Sequence, residues 1–264
     1  MLSPKAIKIL SGYFNLPIIS QNGVRCPYFN NTRLRRRGQL RVLIGKGTPM
    51  EIVEEAKIIS TQYHAGLFDK AGHCCLHNEH GHEITAEEIR KFLIDHGLGI
   101  DCSGFVTQIL HAHFKETKNI DLARKLFKNP KNILRHVINY LRPIENIGVR
   151  TYFDDRNTKE IKNISEIQPL DLIIMMETGP QNKRNHIILI TAKEGTKIKY
   201  AHARAWASEG QYGHGVAEGE IKIIKPEGNL LEQEWIELGK TDDTNGTLLE
   251  AKQAKILIVK RIKL

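Results

Sequence analysis

Apolar positions recur along this chain with two periods, and the change from one to the other predicts its architecture. Between Thr48 and Leu141 the spacing is helical. Thr48, Pro49 and Glu51 form a helix start, with Thr48 as cap and Pro49 at the first helical position, and Ile52, Val53, Ala56 and Ile59 then share a face. Thr85 with Glu88 three residues on is a capping box that opens a helix through Ile89, Phe92 and Leu93, and Gly97 and Gly99 end it. A third helix is expected from Asp101, with Phe105, Val106, Ile109, Leu110 and His113 along one stripe. Residues 121–141 continue the helical pattern, interrupted by Pro130. After Pro143 the pattern changes. Leu170–Met176, His186–Ala192, Lys197–Ala203, Glu218–Ile224 and Lys255–Ile262 are short, β-branched-rich runs bounded by turn residues, and read as strands. Leu40–Ile44 looks like one more short strand, and the polar, histidine-rich residues 64–83 look like an inserted loop. Helices first and strands second predict an α+β fold, with N-terminal helices packed on a C-terminal antiparallel sheet.

Composition narrows the class. The chain has 264 residues, 41% hydrophobic and 26% charged, enough to bury a core without cross-links and unlike a disordered or fibrous protein. The net charge of +9 is local: the first 50 residues hold nine Lys or Arg and no Asp or Glu, so the remainder is balanced. Residues 1–50 are therefore expected to be a basic N-terminal extension and residues 51–264 one folded domain, with the histidine-rich insertion near 64–83. Arg33, Arg35, Arg36, Arg37 and Arg41 could contact an anionic polymer or the carboxylates of an acidic substrate. With only Tyr28 and Phe29 nearby there is no stacking platform, and nucleic acid is not the expected partner. Gly45, Lys46, Gly47 and Thr48 lack the earlier glycine of a phosphate-binding loop. No run approaches the ~18–20 apolar residues of a membrane span, and the first residues lack the pattern of a secretory signal. Four cysteines, two of them adjacent, are no disulfide framework at this length. A cytoplasmic location is expected, with export by a non-standard route left open.

The candidate chemistry lies at Cys102. Asp101 can cap the helix that follows, which places Cys102 in the first turn, where the helix end favours a thiolate. Ser103 and Gly104 are small enough to leave room for a carbonyl, and the amides of Cys102 and Ser103 could hold a developing oxyanion. A thiolate nucleophile needs a base, and the base needs a third group to orient it. His186 opens one predicted strand and His202 closes the next, so a hairpin would bring the two rings together. His214, between Gly210 and Gly215, is the rival for the third position. His73, Cys74, Cys75, His77, His80 and His82 are ligand types that zinc accepts, but their spacing forms no paired motif, so neither metal nor cofactor is expected.

Asp101, Cys102, Ser103, Gly104, Phe105 and Val106, the approach Ile167–Leu172, His186 with its aliphatic run, and His202 with Ala203 together resemble the NlpC/p-sixty family, papain-like cysteine peptidases of bacterial cell-wall peptides. The resemblance spans roughly residues 51–225. It implies Cys102 as nucleophile, His186 as general base, His202 as the third residue, an oxyanion site at Ser103, and Tyr63 and Asp101 as substrate-binding residues. The family's Pro-Gly-Asp before the first strand stands here as Pro169, Leu170 and Asp171. The implied activity is hydrolysis of an amide bond in a peptide or muropeptide, such as a γ-D-glutamyl–diamino acid bond. An amidase or acyltransferase using the same Cys-His-His site, or a catalytically silent basic binding module, are the alternatives.

Overall fold

Both capping boxes open helices. Thr48 Oγ1 accepts the Glu51 N–H at 3.3 Å while the Glu51 carboxylate accepts the Thr48 N–H at 2.8 Å, and Thr85 and Glu88 repeat the exchange at 3.2 and 2.8 Å. The computed structural model describes residues 1–29, 40–69, 73, 74, 84–128 and 133–264. In chain order these form α1 (Pro4–Phe14), a 3-10 turn (Arg41–Ile44), α2 (Pro49–Gln62), α3 (Ala86–Asp95), α4 (Cys102–Lys118), α5 (Leu122–Lys125), α6 (Ile133–Leu141) and α7 (Val149–Phe153). Then come β1 (Thr158–Ile161), β2 (Leu172–Thr178), β3 (Arg184–Glu194), β4 (Lys197–Arg204), α8 (Gly210–Gly213), β5 (Gly215–Lys222), β6 (Glu234–Ile236), α9 (Gly246–Gln253) and β7 (Ile256–Ile262). The seven strands form one sheet in the order β1-β7-β2-β3-β4-β5-β6, and the registered pairs are antiparallel. The class is α+β. Among the described residues no helix is long and apolar enough to cross a membrane.

The strand expected at Leu40–Ile44 is instead the 3-10 turn, closed by Gly45 in the left-handed region at φ 74°. Four apolar residues are too few for periodicity to separate a strand from a helical turn. The chain divides into two compact units, one made of Lys5–Ile109 and Ala203–Val216, the other of Met1–Pro4, Leu110–His202 and Ala217–Leu264. The boundary drawn from charge at residue 50 does not coincide with this division.

In the first of these, the helical unit, the described N-terminal residues are built in. Tyr13 is fully buried and its hydroxyl donates to the Gly47 carbonyl at 2.7 Å. Cys26 N–H donates to the Tyr13 carbonyl and Val216 N–H to the Cys26 carbonyl, at 2.8 and 3.1 Å. Tyr28 bridges Ile100 in parallel. The guanidinium of Arg90, buried, donates to the carbonyls of Tyr212 and His214 and so ties down the segment around α8.

The second, the sheet unit, is organised by β2, whose positions are almost all buried, as expected of a strand covered on both faces. Ile173 and Met175 of β2, Ile188 and Ile190 of β3, and Ile198 and Tyr200 of β4 join one apolar cluster with Trp235, Leu248, Ala251 and Val259. Strand alternation puts the β2, β3 and β4 members on one face, and α9 packs on β2. The turn into β2 carries a strained residue. Leu170 sits at φ 78°, where glycine rests without penalty, and it is held there by its N–H to the Ile190 carbonyl at 2.9 Å. Asp171, fully buried, follows it and takes Arg261 of β7 in a bidentate pair at 2.7 and 2.8 Å.

Leu170→Gly should be neutral or gain up to about 1 kcal/mol in urea denaturation, relief of the left-handed strain outweighing the added chain entropy; a loss above about 1 kcal/mol would mean that the leucine side chain matters more than its backbone. Glu250 of α9 is pushed up to about 7 by burial, against the weaker pull of Arg184. With the folded value above the unfolded one, stability is greatest below the ordinary carboxylate range. It should fall by roughly 3 kcal/mol as pH rises to about 7. Glu250→Gln should remove that slope, measured as the difference between variant and wild type across the same pH series.

Candidate active site

Asp101 begins the helix that carries Cys102. Its Oδ1 accepts the Gly104 N–H at 2.5 Å, capping the first turn of α4. The same oxygen accepts from Lys46 Nζ at 2.9 Å and from Ser103 Oγ at 3.0 Å, and Lys46 also reaches Ser103 Oγ at 2.5 Å. Lys46 and Asp101 are both buried. Gln108 Nε2 donates to the Lys46 carbonyl at 2.6 Å and Asp101 N–H donates to the Gly45 carbonyl at 3.0 Å, so the Gly45–Lys46 segment is laid against the helix start. Gly104 is needed for this approach: a Cβ there would sit 2.3 Å from the Gly45 oxygen. The small residue admits the protein's own backbone. Asp101, with Oδ1 taken up by Gly104, Ser103 and Lys46, acts on the helix start. Cys102, buried, is the first residue of α4.

Cys26 makes a useful contrast. Its thiol is fully buried in the same unit, and that burial pushes its proton affinity up, with only Arg90 and a backbone bond opposing. Cys26, Cys74 and Cys102 are all reduced.

In the sheet unit, β3 and β4 pair in the register Leu189↔Ala201 and Ile190↔Tyr200. His202 therefore lies diagonally across from His186 on one face. His186 Nε2 and His202 Nδ1 are 2.7 Å apart, the rings edge to face. His202 is completely buried and His186 nearly so. Both continue the face of Ile188 and Tyr200, so the apolar cluster ends in a polar layer. Behind the pair stands Glu237, just past β6 and buried. Its Oε1 accepts from Thr247 Oγ1 at 2.5 Å and from Tyr200 Oη at 3.1 Å. His202 Nε2 is 3.4 Å from Thr247 Oγ1 and 3.7 Å from Glu237 Oε1. Two neighbours set this geometry. Asn245 caps α9, accepting the Thr247 and Leu248 N–H groups at 3.1 Å each. Gly219 makes room for Tyr200, whose Oη would lie 2.4 Å from a Cβ at that position.

The other expected residues fall elsewhere. Tyr63 lies at the end of α2, exposed, its ring 5.0 Å from that of His96. His214 Nε2 faces the Trp206 carbonyl at 3.0 Å, in the helical unit. Arg41 pairs with Glu51 at 2.5 Å; burial works against ionisation of Glu51, but the hydrogen bonds from Arg41 and Thr48 outweigh it and hold the carboxyl below its ordinary range. Arg33, Arg35, Arg36 and Arg37 lie outside the described residues, as do Cys75, His77, His80 and His82. Cys74 and His73 are described, and Phe68 and Cys74 form a short antiparallel bridge. Among the described residues no group of three or more His, Cys, Asp or Glu is placed to hold a metal ion. Lys46 enters the sequence analysis only in a rejected phosphate-loop reading, and Glu237 and Thr247 do not enter it at all. No family model, curated protein or solved structure matches this chain.

Lys46→Met should leave the Asp101 carboxylate buried without its counter-charge and cost about 3–5 kcal/mol in urea denaturation. Adding Asp101→Asn should recover much of that loss, because a neutral asparagine still caps Gly104. A loss below about 1 kcal/mol in the single variant would show that the pair does not hold the helix start.

Proposed function

We propose that this chain is a papain-like cysteine hydrolase of NlpC type, cutting an amide bond in a bacterial cell-wall peptide. The observation that carries this reading is the buried His186–His202 pair at 2.7 Å. Two apolar-strand histidines so placed, with a carboxylate behind them, are a costly arrangement for a core and a useful one for orienting a base. Three further features favour it. Cys102 begins a long, capped helix, where the backbone N–H groups favour a thiolate. Leu170 occupies the family's glycine position with a glycine's backbone conformation. The buried Asp171 beside it anchors β7 through Arg261.

In this mechanism the Cys102 thiol gives its proton to His186 Nδ1, since Nε2 is taken by His202. The sulfur attacks the substrate carbonyl, whose oxyanion is held by the amide of Cys102 or Ser103. The C–N bond breaks as His186 returns the proton to the leaving amine. Water, deprotonated by the same ring, attacks the thioester and releases the acid and the thiol. Asp101 contributes through the helix start. Tyr63, exposed, is the remaining candidate to face substrate. A cytoplasmic enzyme of this kind would act on wall peptides returned to the cell, and Arg33, Arg35, Arg36 and Arg37 would meet their carboxylates.

Iodoacetamide at neutral pH tests the nucleophile. Cys102 should alkylate first while Cys26 stays unlabelled, and His186→Ala should slow Cys102 by roughly a hundredfold. Equal rates for the two cysteines, or no effect of His186→Ala, would sink the assignment. Mass spectrometry of defined wall peptides in ¹⁸O-water, wild type against Cys102→Ala, then reads the reaction. One ¹⁸O in the new carboxyl is expected. Reactive Cys102 with no hydrolysis, and product formed only when an amine acceptor is added, would make the chain an acyltransferase.

A further inference from the structure

Resting on the reading of His186 as base, we propose that Glu237 is a positioning residue that fixes the tautomers of both histidines through the Thr247 hydroxyl. The protons are placed along one line of atoms, all within the sheet unit. An ionised carboxylate only accepts hydrogen bonds. With Glu237 ionised, Thr247 Oγ1, 2.5 Å from its Oε1, is the donor. Tyr200 Oη, at 3.1 Å from the same oxygen, must donate as well. With its hydrogen committed to Glu237, Thr247 presents a lone pair to His202 Nε2 at 3.4 Å, and that nitrogen carries a proton. A neutral His202 protonated at Nε2 has its lone pair at Nδ1. The 2.7 Å bond to His186 then needs its proton from His186 Nε2. The lone pair of His186 is thereby placed at Nδ1, the form a general base requires.

Nothing moves along this line in the resting protein; it sets direction. When His186 gains the thiol proton and becomes an imidazolium, its Nε2–H still points to His202 Nδ1. The Glu237 charge, 3.7 Å from His202 Nε2, then lies on the far side of the pair and favours the cation. Without the carboxylate, Thr247 can turn its hydrogen toward His202, and both rings can reverse. His186 would then present an N–H to the thiol and could not accept its proton.

Ring ¹⁵N spectra of the full chain test this directly, with signals assigned through His186→Gln and His202→Gln. Wild type should show both His186 and His202 as neutral Nε2–H tautomers. Glu237→Leu, which removes the acceptor for the Thr247 hydroxyl, should convert both to mixtures or to Nδ1–H forms. Thr247→Val, nearly the same shape, should do the same with the carboxylate still present, and decides the matter if the Glu237 variant does not fold. In a peptide-cleavage assay both variants should lower kcat by roughly a hundredfold with KM within about twofold. Nδ1–H or doubly protonated His202 in wild type, or unchanged tautomers in folded variants, would overturn the proposal. The spectra do not depend on Cys102, so an unreactive Cys102 with ordered tautomers would remove the enzyme reading and leave the role of Glu237 standing.

Discussion

A carboxylate withdrawn from water must be given hydrogen bonds or it unfolds what surrounds it, and in the sheet unit that demand falls on Glu237. The groups that answer it come from two places in the chain: β4 gives the Tyr200 hydroxyl and, at the edge of ion-pair range, His202, and the start of α9 gives the Thr247 hydroxyl. Each is held by something less conspicuous. Tyr200 reaches its place because Gly219 has no side chain, and Thr247 because Asn245 caps the helix that bears it. The neighbouring Ile188, Ile190 and Ile198 close the apolar face and exclude the water that would otherwise solvate the charge. The histidines sit where this polar layer meets that face.

The helical unit solves a similar problem with opposite parts. There a buried ammonium, Lys46, meets a buried carboxylate, Asp101, and the helix start supplies a further donor. A pair of this kind adds little net stability compared with apolar residues of the same size, but is costly to break. What it fixes is position: the Gly45–Lys46 segment against the first turn of α4, and with it the residue that carries the thiol. The pair of Arg41 with Glu51 is about one-third exposed and is the weaker tie.

Helix starts were legible because capping is local chemistry. Thr48, Thr85 and Asp101 meet their partners within three residues, so spacing alone announces them. The strand runs around β2, β3 and β4 were legible because β-branched residues cluster there, and the His186–His202 pairing followed from their order along a hairpin. Lys46, Glu237 and Thr247 gave no such signal. Glu237 lies 35 positions from His202 in a segment of turns, and its role exists only after β6 and α9 are in place. Lys46 falls among the basic residues of the first fifty and in a pattern short of a phosphate loop, and charge counted along a chain does not say which cations face inward. The Leu40–Ile44 run failed for want of length, and β1 and β6, of four and three residues, carry too few positions to show a period.

The fate of those cations bears on how separable the first fifty residues are. Charge alone sets them apart as a basic N-terminal extension. Yet Arg25 donates to the Gly213 carbonyl, Arg41 holds Glu51, and Lys46 neutralises Asp101, while Tyr13 and Cys26 are buried completely. Removing these residues would strip the thiol-bearing helix of its counter-ion and uncover the interior beside Tyr13 and Cys26. The described residues of the basic end are thus part of the interior that supports the thiol-bearing helix.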